Sequence, residues 1–153
     1  YRKELGLDPA NSRMAVLGGD FALLLQVSGN WNNIAKLENQ IAGLESRLGL
    51  MISSRRTAEK SAAENMLPYG VDVVALDQPG IVHNLAKFFS QRHINIQEMI
   101  TSSYPAPHSG TVMFSVHMSV EIPAKTQIST LREEFMEFCD EMNLDAVIEP
   151  VKT

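Results

Sequence analysis

Cysteine is almost missing from this chain: Cys139 stands alone among 153 residues. That excludes an internal disulfide and any zinc site built from several thiolates. Cys139 follows Phe138 on an apolar helical face, so it reads as a buried structural thiol rather than a nucleophile. Long hydrophobic runs are missing too. None reaches the roughly 18–20 residues of a membrane span, and no signal peptide is visible. Positive charge is in short supply, with 13 Lys and Arg against 18 Asp and Glu and a formal net charge of −5. Nucleic acid and anionic membranes both recruit proteins through positive charge, so both are disfavoured as partners. Catalytic signatures are lacking: there is no Walker loop, GxGxxG or GxSxG, and His83, His93, His108 and His117 are scattered without metal-ligand spacing. The expectation is a cytoplasmic, reducing setting, no catalytic residues, no cofactor and no metal.

What is present is a globular composition, 44% apolar and 20% charged, enough for one domain or two small ones. Because the chain opens on Tyr1 rather than Met, it reads as a fragment or as the ordered portion of a longer protein. Asn11 to Leu17 reads as a strand, Gly18-Gly19-Asp20 as a tight hairpin turn, and Phe21 to Ser28 as a second strand. In that second strand Phe21, Leu23, Leu25 and Val27 form one apolar face. Asn30 suits an N-cap, and Ile34, Leu37, Ile41, Leu44 and Leu48 recur at helical spacing up to Gly49. Leu50 to Ser54 is expected to return as a strand. Residues 57–68 read as a linker, with Pro68 ending any helical tendency before a strand from Tyr69. Arg55, Arg56 and Lys60 read as a solvated basic face.

The second section is organised around a turn. Val71 to Leu76 is a β-branched run of strand length, and Ile81, Leu85, Phe88 and Phe89 fall on one helical face. Between them lies Asp77-Gln78-Pro79-Gly80. Asp77 is expected to cap the helix and Pro79 to preset its first turn, while Gly80 lets backbone or a ligand approach closely. A helix N-terminus there would offer N–H donors and partial positive charge to a carboxylate. Ile94 to Ile100 reads as an alternating strand and Tyr104 to Gly110 as a rigid loop. Thr111 to Val120 alternates cleanly, with Val112, Phe114, Val116, Met118 and Val120 on one face, and Ile122-Pro123-Ala124 is expected to stop it. Ile128, Leu131, Phe135, Phe138 and Met142 mark a helix with Glu133, Glu134, Glu137 and Glu141 outward. Leu144, Ala146 and Ile148 face inward from a last strand.

The second section is thus β-α-β-β-α-β, and the first repeats its last four elements in order. The expected fold class is α+β, with two ferredoxin-like βαββαβ modules. The expected division is 1–56, a linker at 57–68, and 69–153. The first copy lacks its opening strand and helix, and without that central strand its sheet would leave unpaired backbone groups inside. The missing element would come from residues outside this sequence or from another chain.

A strand, then Asp77-Gln78-Pro79-Gly80-Ile81-Val82 opening a helix, then Asn95-Ile96 starting the next strand, resembles the ACT domain, a module that binds small ligands, often amino acids. The tandem arrangement without a catalytic or helix-turn-helix region resembles the glycine cleavage system transcriptional repressor family. So do Ser12-Arg13-Met14-Ala15, Gly18-Gly19-Asp20-Phe21 and Ser28-Gly29-Asn30-Trp31. The resemblance implies a regulator that senses a small amino acid, glycine foremost, as a homo-oligomer. It would act through a protein partner such as a transcriptional activator rather than by touching DNA. It also implies a ligand site of Asp77, Gln78, Pro79, Gly80, Ile81, Val82, Asn95 and Ile96, with backbone N–H groups for a carboxylate and the Asn95 amide as donor and acceptor. The same element order also fits an RRM-type RNA binder, but Phe114 lies with Val112 and Val116 on the core face, and the charge is acidic. An acylphosphatase-like hydrolase would need an arginine in the Asp77–Ile81 loop, which has none. The remaining rival is a ligand-free interaction module of the same fold.

Overall fold

The computed structural model describes residues 8–57 and 65–151. The chain forms two compact units, residues 1–59 and 60–153. In the first, β1 (Asp8–Leu17) and β2 (Asp20–Ser28) pair as an antiparallel hairpin. The turn is Gly18-Gly19, with a positive φ of 61° at Gly18. A positive φ at the first central position alone is the type II′ pattern, whose twist matches that of the strands. β1 begins earlier than the expected Asn11, and a register shift between Pro9 and Asn11 accommodates the proline.

Helix α1 (Trp31–Leu48) starts at Asn30, whose Oδ1 accepts from the Asn33 N–H at 2.8 Å. It ends at Gly49, left-handed at φ 65°, with its N–H donating to the Glu45 carbonyl at 2.9 Å. The helix stripe of Ile34, Leu37, Ile41 and Leu44 is half-buried, as are Leu25 and Val27 of β2.

Leu50 to Ser54 is not a strand. Residues 50–57 are irregular and return beside α1, held by side chains of that helix. The Ile52 N–H donates to Glu45 Oε1 at 2.6 Å. Arg56 donates to both Glu38 oxygens, with Nε 3.1 Å from Oε2, and its guanidinium lies 3.9 Å over the Trp31 ring. The physical reason is the lack of a partner. A last strand in this fold pairs with the first strand of its own module, and the described residues of this unit supply only the β1–β2 sheet. Arg56 therefore spends its charge on Glu38 rather than on a solvated basic face. Lys60 and residues 58–64 of the expected linker lie outside the described residues.

The second unit contains β3 (Met66–Leu76), α2 (Ile81–Gln91), β4 (Asn95–Pro105), β5 (Val112–Pro123), α3 (Ile128–Met142) and β6 (Asp145–Pro150). Its sheet order is β4-β5-β3-β6 with antiparallel neighbours throughout. This is the ferredoxin-like arrangement, with the first strand of the module inside the sheet. β3 starts at Met66, so Pro68 sits within it rather than before it. The Pro68 carbonyl accepts from the Val151 N–H at 3.1 Å, which turns the proline nitrogen toward β6 as well. The β3–β6 register ends at Tyr69 opposite Pro150, so the missing N–H removes no ladder bond there.

The alternation of Val71, Val73, Val116, Met118, Val120 and Ile122 sends these residues to one sheet face, each no more than 2% exposed. Phe88 and Phe89 of α2 and Phe135 and Phe138 of α3 meet over that face, with ring centroids 5.1–6.3 Å apart. Cys139 is buried beside them, and burial pushes its thiol up to about 12, with the Asp140 charge adding to the shift. β4 does not alternate simply. A bulge between Ile96 and Glu98 resets its faces, so Met99 packs on the core while Ile100 is exposed. β4 also runs through Pro105, and β5 extends through Ile122 to Pro123, further than the sequence pattern indicated.

Candidate functional site

The turn after β3 is pinned at its start by two neighbouring residues. The Asp77 N–H donates to the Val112 carbonyl at 3.1 Å, tying it to the start of β5. Gln78 Nε2 donates to the Met142 carbonyl at 2.9 Å, tying it to the last turn of α3. Asp77 does not cap α2, and Pro79 is not in its first turn. The N-cap is Gly80, and no side chain bonds to the helix start. Asp77 precedes the first helical residue, Ile81, by too many positions for its short carboxylate to serve as cap, because Pro79-Gly80 form the intervening turn.

Gly80 has φ 85°, and a Cβ there would meet Asn84 Nδ2 at 3.4 Å. Only glycine adopts that backbone without strain. The first intrahelical bond at this end runs from Asn84 N–H to the Gly80 carbonyl, 2.9 Å. The N–H groups of Ile81, Val82 and His83 precede it and have no carbonyl to bond within the helix. They carry the partial positive charge of the helix end.

Beside them opens a cleft of about 290 Å³ lined by Gln78, Gly80, Ile81, Val82, His83 and Phe114. Ile81 is buried and Phe114 half-buried, so the lining is largely apolar, with Gln78 and His83 as its polar side chains. Asp77 and Pro79 adjoin the cleft in the chain and are exposed. The arrangement suits a small molecule with an anionic end at the helix and an apolar or small body.

The unit does not bring Asn95 and Ile96 to this cleft. They pair with Glu121 and Val120 at the far end of β5. Val112, which binds Asp77, lies at the near end, about 30 Å away at the rise of a β-strand. Asn95 is exposed, and Ile96 packs against the core. One ligand within one module therefore cannot touch both groups. Phe114 is a lining residue that sequence reasoning assigned to the core face alone. Its inward alternation was legible, but its place level with Ala75 and Ser103, at the helix-start end of the sheet, follows from the strand register. The histidines stay apart in role: His83 lines the cleft, His93 takes a left-handed φ of 58° after α2, and His117 Nδ1 lies 2.7 Å from Asp72 Oδ1.

Comparison with known proteins places these features. The ACT domain family model matches residues 3–54, within the first unit. The glycine cleavage system transcriptional repressor of Escherichia coli (strain K12) is 25% identical over 146 residues, covering 95% of this chain and 77% of that protein. The repressor of Shigella flexneri matches to the same extent. The crystal structure of an unknown protein from Galdieria sulphuraria superposes with a TM-score of 0.74 at 28% identity, over 99% of this chain and 86% of that one. A crystal structure of a proposed glycine cleavage system transcriptional repressor superposes with a TM-score of 0.76 at 23% identity, over 99% and 85% of the two chains, and shows the same fold. Residues 3–54 thus match the ACT domain model, and the chain as a whole is similar to the glycine cleavage system transcriptional repressors.

Proposed function

We propose that the chain is a regulatory amino-acid sensor that acts through a protein partner and not as an enzyme. The observation that carries this reading is the uncapped start of α2 opening on the Gln78–His83 cleft. A ligand carboxylate accepts from the N–H groups of Ile81, Val82 and His83, and Gly80 keeps the approach clear of a side chain. The exposed Asp77 carboxylate takes the ammonium. Asn95 and Ile96 take part only from a second ACT module, since their own module holds them at the other end of the sheet. The ligand thereby bridges two modules in a homo-oligomer and favours one relative arrangement. A partner such as a transcriptional activator reads that arrangement, and the ligand's effect is bounded by its differential affinity for the two states. Glycine is the first ligand to try, given the relatives' name, and no contact with DNA is required.

The test is calorimetric titration of the full chain with glycine, then serine, alanine and the remaining amino acids. One of them gives a saturable signal. Val82→Glu weakens it at least about tenfold through charge repulsion, while the folded state holds, because an acidic residue in a first helical turn is favourable. Silence across the whole panel from a folded protein overturns the sensor reading in favour of a ligand-free interaction module.

A further inference from the structure

The sheet face of the second unit turned away from α2 and α3 takes no part in the ligand cleft. Strand register fixes its membership. Leu76, Met113 and Tyr104 form one row across β3, β5 and β4, and Val74, Ile100 and Val147 stand beside or below it. Leu76 is 60% exposed, Ile100 55% and Val147 50%; Tyr104, Met113, Leu76, Val74 and Val147 adjoin one another, and Ile100 stands beyond Ser102 and His117 at the β4 edge. Its central polar groups are bonded to one another: His117 to Asp72 at 2.7 Å, and the Ser102 and Ser115 hydroxyls at 2.7 Å. These pairs lower the cost of removing water, while His117 Nε2, Asp72 Oδ2 and one of the two serine O–H groups still look to a covering partner for a hydrogen bond.

The charge on this face has one sign. Asp72, Asp145, Glu149 and Glu121 all stand at outward positions, and no lysine or arginine does. The lysines and arginines of the described second unit are Lys87, Arg92, Lys125 and Arg132, on the two helices or in the loops that flank them. We propose that this face docks a protein segment that is both apolar and basic: an amphipathic helix carrying lysines or arginines beside its apolar stripe. The apolar rows supply the contact area, and the carboxylates at the β6 edge and the far end of β5 supply complementary charge. A second copy of the chain brings the same carboxylates and no lysine or arginine to the contact, so it fits less well. Nucleic acid and anionic lipid are repelled. The inference rests on the regulatory reading only for the partner's role; the contact itself needs no amino acid.

The experiment titrates the isotopically labelled full chain, without any amino acid present, with a synthetic amphipathic helix of leucine and lysine and with its leucine–glutamate counterpart. The leucine–lysine peptide shifts the resonances of Val74, Leu76, Ile100 and Val147, and its binding weakens with salt. Asp145→Lys with Glu149→Lys lowers that affinity about tenfold, whereas Glu133→Lys with Glu137→Lys on α3 leaves it within about threefold. If the lysine pair fails to fold, Asp145→Asn with Glu149→Gln serves, with a loss of about threefold expected. Equal binding of the acidic peptide, shifts confined to the helical face, or equal losses from both lysine pairs would overturn the proposal. So would self-association through this face in sedimentation, broken by Val74→Asp. Because no amino acid is present, failure here leaves the calorimetric result standing, and the converse also holds.

Discussion

The two units carry the same β-β-α order and reach different interiors. In the second, eighteen hydrophobic residues from Tyr69 to Ile148 are buried. In the first, α1 buries none, and Met14, Val16, Phe21 and Leu23 on the apolar side of the hairpin are 52–69% exposed. The difference lies in what β3 and α2 do for the second unit. β3 pairs with β5 on one side and β6 on the other, and α2 lays Leu85, Phe88 and Phe89 against the sheet. The described residues of the first unit are a hairpin, one helix and the segment beside it, which carry the pattern of a core without the surface to close one among themselves.

The sharpest way to break that contrast is to cut matching aromatics. Phe135→Ala, at a fully buried site, is expected to cost the second unit about 3–5 kcal/mol. Phe21→Ala, half exposed in the hairpin, is expected to cost less than about 1 kcal/mol. Urea melts of the full-length variants check both. An equal cost at Phe21 would mean that the first unit has an interior after all. A smaller effect belongs to the cap of α1: Asn30→Ala removes the bond to the Asn33 N–H and is expected to cost about 1 kcal/mol. Faster amide exchange in the first turn of α1, with the β3–β5 ladder unchanged, is the expected signature.

The smallest effect is one of pH. The hydrogen bond from Arg56, followed by its charge, holds the Glu38 carboxyl below its ordinary value of 4.5. A carboxylate favoured in the folded state contributes fully above that ordinary value and loses its contribution as pH falls through the lower folded value. Acidification below about pH 4.5 is therefore expected to loosen Arg56 from Glu38, with the Ile52–Glu45 bond still holding the segment, while Glu38→Gln shows little further change over the same range. The Trp31 fluorescence beneath Arg56 reports it.

Much of this architecture was legible because local periodicity and burial agree. The stripe from Ile128 to Met142 and the alternation from Val112 to Val120 each have one solution, and the Asn30 cap is set by residues a turn apart. What the sequence hid depends on distant partners. Leu50 to Ser54 has strand composition, yet a strand exists only where another offers its edge. Asn95 has the right chemistry for a ligand, yet its distance from Gly80 is set by the length of β5, which no local pattern measures. The bulge at Ile96–Glu98 turns Ile100 outward by one inserted residue, and nothing in the side chains announces it. Asp77 failed as a cap because the Pro79-Gly80 turn moved the helix start beyond its reach.

Cys139 turns the closed interior of the second unit into a clock. It is the chain's only thiol, it is buried, and its pKa lies near 12. The reactive thiolate is therefore scarce at neutral pH while the helices stay packed. A thiol reagent must wait for α3 to lift from the sheet, so, at a fixed reagent and concentration, the pace of labelling follows how readily that opening occurs. Anything that tightens the second unit, a bound amino acid or a docked helix alike, slows the same clock without a label being engineered into the chain.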